Sequence, residues 1–77
     1  MTINVFTKEL AELLEIEDDL SLETNLKDYE EYDSMSIMSL VAYVHKTFGK
    51  QFNARQLNQI DTVESLVELI GKESFDS

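Results

Sequence analysis

The sequence predicts an all-α fold, a small helical bundle made of three main helices and one short helix. Apolar residues recur at helical spacing in separate segments, no useful stretch shows the alternation typical of a strand, and proline is absent. At 77 residues the chain is expected to form one domain, spanning 1–77, with residues 72–77 as a frayed tail.

The first helix is predicted from about Thr2 to Leu14, because one stripe of this segment is apolar and the remaining positions are mostly charged. From Glu15 to Asp33 the periodicity breaks and acidic residues dominate, which indicates a long ordered loop. Loops of this length inside a small domain are uncommon unless they have a function, and this one leads directly to Ser34.

The second helix is predicted from about Ser34 to Phe48, with Gly49 as its C-cap. At about 100° per residue, one apolar stripe falls to one side of Ser34 and a second, shorter one to the other side. Either the helix packs on both sides, or the second stripe stays exposed as a docking patch, a use that suits flexible methionines. The second stripe consists of Met35, Met38 and Ala42.

Two further helices complete the predicted bundle. A short third helix is expected within Asn53–Ile60. Asp61 or Thr62 is expected to cap a fourth helix that ends at Gly71, with Glu64 placed to complete a capping box with Asp61.

The charge distribution restricts the classes of partner. The chain carries a net charge of -10, and the first 33 residues hold eleven acids and two bases, whereas residues 34–60 hold three bases and no acid. This disfavours nucleic acid and anionic membranes as partners and favours basic protein surfaces. With no cysteine, no signal-peptide pattern and no long apolar run, we expect a cytoplasmic monomer that does not insert into membranes.

The triplet Asp33-Ser34-Met35 is the most specific local feature. A hydroxyl in the first turn of a helix lies near unpaired N–H groups and the positive end of the helix dipole, which favour a negatively charged substituent. Ser34 is therefore a candidate for carrying a phosphodiester. The alternative is that the triplet is only a helix cap.

The residues do not support intrinsic catalysis. His45 is the single histidine, and eleven residues of helix place it about 16 Å along the axis from Ser34, too far for a Ser-His dyad. The acidic runs are typical of solvated surface and lack the spacing of a tight calcium loop, so no metal site is predicted.

Several short motifs occur together in an order that has a known counterpart. An amphipathic first helix is followed by Thr24-Asn25-Leu26, by Asp33-Ser34-Met35, by Phe48-Gly49 and by the segment from Ile60 to Leu66. Over nearly its whole length the chain thereby resembles an acyl carrier protein, a small acidic helical protein whose serine carries a 4'-phosphopantetheine arm.

The resemblance implies a mechanism. A phosphopantetheinyl transferase would attach the arm from coenzyme A to Ser34, Asp33 would help that enzyme hold its magnesium, and the arm would carry acyl groups as thioesters for fatty-acid, polyketide or related lipid biosynthesis. An acyl-ACP synthetase or acyltransferase and ketoacyl synthase-type enzymes would be further partners. The implied acyl pocket between the second and third helices has as candidate lining residues Ile37, Val41, Leu57, Ile60 and Val63.

Some positions differ from the family pattern. Carriers of general fatty-acid synthesis usually have acids along the exposed face of the second helix, and Glu31 replaces a common glycine. We therefore expect a specialised member whose partner-docking face uses Met35, Ser36, Met38, Ser39, Ala42, His45 and Lys46. Two alternatives stay open, an aminoacyl (D-alanyl-type) carrier and an unmodified helical interaction module.

Overall fold

The computed structural model describes residues 1–76 and contains four α-helices in chain order. These are α1 (Ile3–Leu14), α2 (Ser34–Phe48), α3 (Ala54–Gln59) and α4 (Val63–Ile70), with short 3-10 turns at Leu26–Asp28 and Lys72–Ser74. No strand occurs within the described residues. The predicted all-α bundle of three main helices and one short helix is confirmed.

One apolar core joins all four helices. Phe6 and Leu10 from α1 and Leu40 and Val44 from α2 have no exposed surface, because the apolar stripe of each helix faces the others. The remaining core residues are Leu14, Ile16, Leu26, Ile37, Leu57, Ile60, Val63, Leu66, Val67 and Ile70.

The acidic loop between α1 and α2 is fixed by backbone contacts with the start of α4. The Leu26 N–H donates to the Asp61 carbonyl at 2.7 Å, and the Val63 N–H donates to the Thr24 carbonyl at 3.0 Å. Leu26 is fully buried beneath these bonds. The loop is therefore ordered, as predicted, and it delivers the chain to the first residue of α2.

Helix ends follow the sequence with one correction. Gly49 ends α2 in the left-handed region at φ 70°, as predicted. Thr62 rather than Asp61 caps α4, since its side chain accepts from the Ser65 N–H at 3.2 Å. The expected capping box with Glu64 does not form, because the Glu64 N–H donates to the carbonyl of Leu22 at 2.9 Å.

The segment 72–76, predicted to be frayed, contains a 3-10 turn and a half-buried Phe75; Ser77 lies outside the described residues. The Phe75 ring lies 5.1 Å from that of Phe6 and 5.2 Å from that of Phe48, measured between centroids. The Asp76 carboxylate also pairs with the N-terminal ammonium of Met1 at 3.0 Å. Phe75 thus gives this segment an apolar surface that can be buried. The polar residues around it in the sequence do not indicate this packing.

Candidate functional site

A capping box fixes the N-terminus of α2. Asp33 is the N-cap in an extended conformation, and its carboxylate accepts from the Ser36 N–H at 3.0 Å. In return, the Ser36 hydroxyl accepts from the Asp33 N–H at 2.9 Å. Ser34, as the first residue of α2, is held between these two residues by the backbone alone.

The side chain of Ser34 is available for modification. The residue is exposed, and its hydroxyl takes part in none of the side-chain hydrogen bonds found within residues 1–76. The cap role considered for the triplet belongs to Asp33. A hydroxyl at this first helical position faces the positive end of the α2 dipole, which suits a phosphate ester.

The carboxylate of Asp33 is held in its charged form. The backbone N–H of Ser36, followed by its hydroxyl, lowers the pKa of Asp33 below its ordinary value of 3.8. An acid that remains ionised next to the exposed hydroxyl of Ser34 has the chemistry expected of a group that attracts a metal cation held by another protein.

Two residues that flank Ser34, one on each side, have structural roles that the sequence did not indicate. The Ser36 hydroxyl also donates to the Glu31 carbonyl at 2.6 Å, so this half-buried side chain stabilises the loop. The Tyr32 hydroxyl donates to the backbone carbonyl of Leu57 in α3. Burial raises the pKa of Tyr32 to about 12, so the phenol remains a donor at neutral pH.

Ser36, predicted to lie on the docking face, has a side chain that is engaged in the capping box. Its side chain is occupied by the Asp33 and Glu31 backbone and is only partly accessible. The spacing of an acid at the N-cap and a hydroxyl three residues later could have indicated this capping role. No local signal marks the bond of Tyr32, because its partner lies 25 residues away.

A cleft of about 270 Å³ lies beside Ser34, between α2 and α3, and is lined by Ser34, Ile37, Met38, Ala54, Arg55 and Asn58. Of the five residues predicted to line an acyl pocket, only Ile37 reaches this cleft. Val41 is half-buried, whereas Leu57, Ile60 and Val63 are core residues with at most 7% exposure. The structure therefore does not bring these four to the cleft. Sequence reasoning missed Ala54, Arg55 and Asn58, because a helix as short as α3 has too few apolar repeats to show which of its faces points to the core.

The rest of the predicted docking face is exposed. Met35 is 81% exposed and Met38 is 59% exposed, so the second apolar stripe of α2 does not pack against the core. Exposed large apolar side chains beside an exposed serine favour the docking interpretation over a helix packed on both sides. The other exposed members of this face are Ser39, Ala42, His45 and Lys46.

Comparison with known proteins identifies the family. A family model described as a phosphopantetheine attachment site matches residues 4–70, from the first turn of α1 to the last residue of α4. The chain belongs to the acyl carrier protein family. The resemblance noted in the sequence is confirmed, and with it the covalent 4'-phosphopantetheine cofactor.

A curated relative agrees with this assignment. An acyl carrier protein from Coprothermobacter proteolyticus is 33% identical over 54 residues, which is 70% of this chain and 66% of the relative. The aligned part thus covers slightly less than two thirds of that relative's own length. No solved structure matches the chain significantly.

Membership narrows the functional alternatives. Proteins of this family carry a covalent group and do not themselves catalyse reactions, so the unmodified interaction module is not retained.

Within residues 1–76, no helix has both the length and the apolar character that crossing a membrane requires.

Proposed function

We propose that this protein carries acyl intermediates on a 4'-phosphopantetheine arm attached to Ser34, for fatty-acid, polyketide or related lipid biosynthesis. The observation that carries the proposal is the exposed hydroxyl of Ser34 at the first position of α2, directly after the ionised N-cap Asp33. The arm supplies the thiol that the cysteine-free chain lacks.

The residues of the chain have separate roles in this proposal. The oxygen Oγ of Ser34 is the atom that carries the phosphate of the arm, and the N-terminal end of α2 stabilises its negative charge. Asp33 fixes the first turn of the helix and presents a carboxylate to the transferase and its magnesium. The cleft beside Ser34 receives the group that the arm delivers.

The proposed partners are a phosphopantetheinyl transferase, an acyl-ACP synthetase or acyltransferase, and ketoacyl synthase-type enzymes. We propose that they dock on the exposed face of α2, defined here as Met35, Met38, Ser39, Ala42, His45 and Lys46. Since this face holds no acid, its partners are expected to be dedicated enzymes with apolar contact surfaces rather than strongly basic ones. The expected cytoplasmic location and monomeric state stay predictions.

An acyl group fits the site better than an aminoacyl group. Arg55 lines the cleft beside Ser34, and the ammonium of an aminoacyl group placed there would meet a like charge. Identification of the group loaded in the native host separates these two carriers.

The test of the attachment site is the intact mass of the protein after incubation with coenzyme A and a broad-specificity phosphopantetheinyl transferase. We expect the wild type to gain the mass of one arm and Ser34→Ala to gain nothing, with helical circular dichroism unchanged. Thr47→Ala is the matched control, since it removes an exposed hydroxyl of α2 outside the docking face and should leave modification intact. Modification of Ser34→Ala would end the proposal.

A further inference from the structure

Two polar residues of α3 share the cleft with Ser34. Arg55 and Asn58 line this space of about 270 Å³ from α3, whereas Ser34, Ile37 and Met38 line it from α2. Arg55 and Asn58 are three residues apart, a spacing that places both on one face of a helix. The polar part of the cleft therefore consists of Arg55, Asn58 and the serine that receives the arm.

The guanidinium of Arg55, the only arginine of the chain, has no partner within residues 1–76. The ion pairs of this part of the chain join Met1 to Asp76 and Lys50 to Glu73. The side-chain hydrogen bonds around α3 involve neither Arg55 nor Asn58, and no acid occurs between residues 34 and 60. Both side chains are thus exposed donors that a group entering the cleft can bind.

Attachment of the arm brings a new negative charge to a place where acids already lie. A phosphodiester on Ser34 is anionic at neutral pH and directly follows Asp33, whose own pKa is lowered. Glu30 and Glu31 lie shortly before it in the same loop. The N-terminal end of α2 offsets part of the resulting repulsion. The cation that lines the same cleft as Ser34 is Arg55.

The chemistry of Arg55 suits a phosphodiester. A guanidinium is a planar fork whose N–H groups match two phosphate oxygens at once, and such charge-assisted hydrogen bonds are stronger than neutral ones. The amide of Asn58 offers two further N–H donors. Because these residues and Ser34 line one space, a phosphate bonded to the Oγ of Ser34 enters the cleft beside them.

We propose that Arg55, assisted by Asn58, binds the phosphodiester of the arm and holds the first part of the arm against α3. This inference rests on the carrier function proposed above and names a positioning residue of its attachment site. The phosphate occupies the polar part of the cleft, and the apolar part at Ile37 and Met38 remains for the cargo.

The contact also links two helices, because the arm is bonded to α2 and paired with α3. With six residues, α3 is shorter than an isolated helix needs to be stable, so its position depends on contacts with the rest of the protein. The attached arm adds one such contact, and we expect it to stabilise the fold.

The first test uses the fact that the chain has a single arginine. The Nε–H group of Arg55 gives one arginine side-chain signal in a nitrogen-proton NMR spectrum, recorded before and after complete modification, with free coenzyme A removed. We expect the attached arm to shift this signal and to slow its exchange with water. Added NaCl should weaken both effects, since salt screens the ion pair. Ser34→Ala, treated in the same way, should show neither.

The second test compares how attachment of the arm changes the melting temperature. This change should be more favourable in the wild type than in Arg55→Gln, by roughly 2–4 °C. Arg55→Lys, which keeps the charge and loses the fork, should lie between the two. Lys8→Gln is the matched control, since it removes one charge at an exposed position of α1 and should respond to the arm as the wild type does.

Unmodified Arg55→Gln should melt as the wild type does, because Arg55 makes no polar contact before the arm is attached. An arginine signal that is indifferent to the attached arm would overturn the inference. Equal responses of the wild type and Arg55→Gln, or of Arg55→Gln and Lys8→Gln, would overturn it as well. Failure of the carrier function would be visible earlier, as no gain of mass at all.

Discussion

At the scale of single residues, Ser36 connects the acidic loop to α2. Its hydroxyl accepts from the Asp33 N–H and donates to the Glu31 carbonyl, so a side chain that follows Ser34 satisfies two backbone groups that precede it. The position of the Ser34 side chain therefore depends on Ser36 as well as on the N-cap Asp33.

We predict that Ser36→Ala destabilises the protein by about 1 kcal/mol, since it removes these hydrogen bonds from a partly buried site. The melting temperature should fall by roughly 4–8 °C. Ser39→Ala, which removes an exposed hydroxyl of the same helix, should leave it unchanged. Equal melting temperatures of the two variants would contradict the structural role of Ser36.

The second residue-scale prediction concerns pH. Hydrogen bonding to the Ser36 N–H lowers the pKa of Asp33 in the folded state, so its carboxylate stabilises the fold above the pKa of the unfolded chain, near 3.8. This contribution is lost as the pH falls through the lower folded pKa. Asn caps helices well without titrating, so Asp33→Asn is the matched variant.

The measurement is urea unfolding of the wild type and Asp33→Asn from about pH 6 to about pH 2. The stability advantage of the wild type over the variant should be constant above about pH 5 and should shrink below about pH 4. Parallel curves over the whole range would show that the Asp33 carboxylate does not have a lowered pKa.

What the sequence predicts at this scale depends on whether a contact is local. Asp33 and Ser34 could be proposed as the attachment site because an acid, a hydroxyl and an apolar helical period follow each other directly. The bond from Tyr32 to Leu57 could not, because only the fold brings residues 25 positions apart into contact.

At the scale of elements, the exposed face of α2 next to Ser34 is partly apolar and holds no acid. Met35 and Met38 are exposed, and this face contains no acid from Met35 as far as Lys46. A basic patch on a synthase would gain little electrostatic attraction here, so contact energy would come mainly from burial of the methionines.

We predict poor turnover of the loaded protein by a ketoacyl synthase of general fatty-acid synthesis, and a gain when Ser39 and Lys46 are both changed to Glu. The change shifts this face by three charge units toward the acidic character that a basic patch attracts. Turnover should be measured at low and moderate salt, since the gain should weaken as salt screens the added charges.

The control places the same change in charge on α1, with Asn4→Asp and Lys8→Glu, both at exposed positions. An equal gain there would indicate a general effect of net charge rather than docking on α2. Efficient turnover of the unaltered protein, with no gain from the added acids, would refute the specialised-carrier interpretation and leave the carrier assignment in place.

The bounds of a helix were predictable where neighbouring residues show an apolar helical repeat or a capping residue. The observed α2 has the predicted bounds, because Asp33 and Gly49 mark both of its ends. Lys50 follows α2 directly, where a cation can complement the C-terminal end of a helix, but its ammonium donates to the Ile70 carbonyl of α4 at 2.5 Å. The packing of one helix end against another decides which carbonyl the Lys50 ammonium contacts, and the sequence contains no local sign of this packing.

At the scale of the whole molecule, the acids of the loop are poorly compensated. Among residues 1–76, the two ion pairs join Met1 to Asp76 and Lys50 to Glu73, so neither uses an acid of the first 33 residues. These eleven acids repel each other, and compaction brings them closer together.

We predict that added NaCl, and more strongly millimolar magnesium or calcium, raises the melting temperature. Salt screens the repulsion, and divalent cations also bind weakly to the acidic surface. Comparing the salts at equal ionic strength separates screening from binding. A melting temperature indifferent to all three would show that the acids are already compensated.

The central claim is that Ser34 carries the arm, and the most direct test is the location of the added mass in the modified wild type. Proteolysis followed by tandem mass spectrometry assigns the phosphopantetheine to one side chain. The account predicts modification of Ser34 alone, in the peptide that contains Asp33 and Met35. An arm on any other serine, or an unmodified protein under conditions that modify a known carrier, would contradict it.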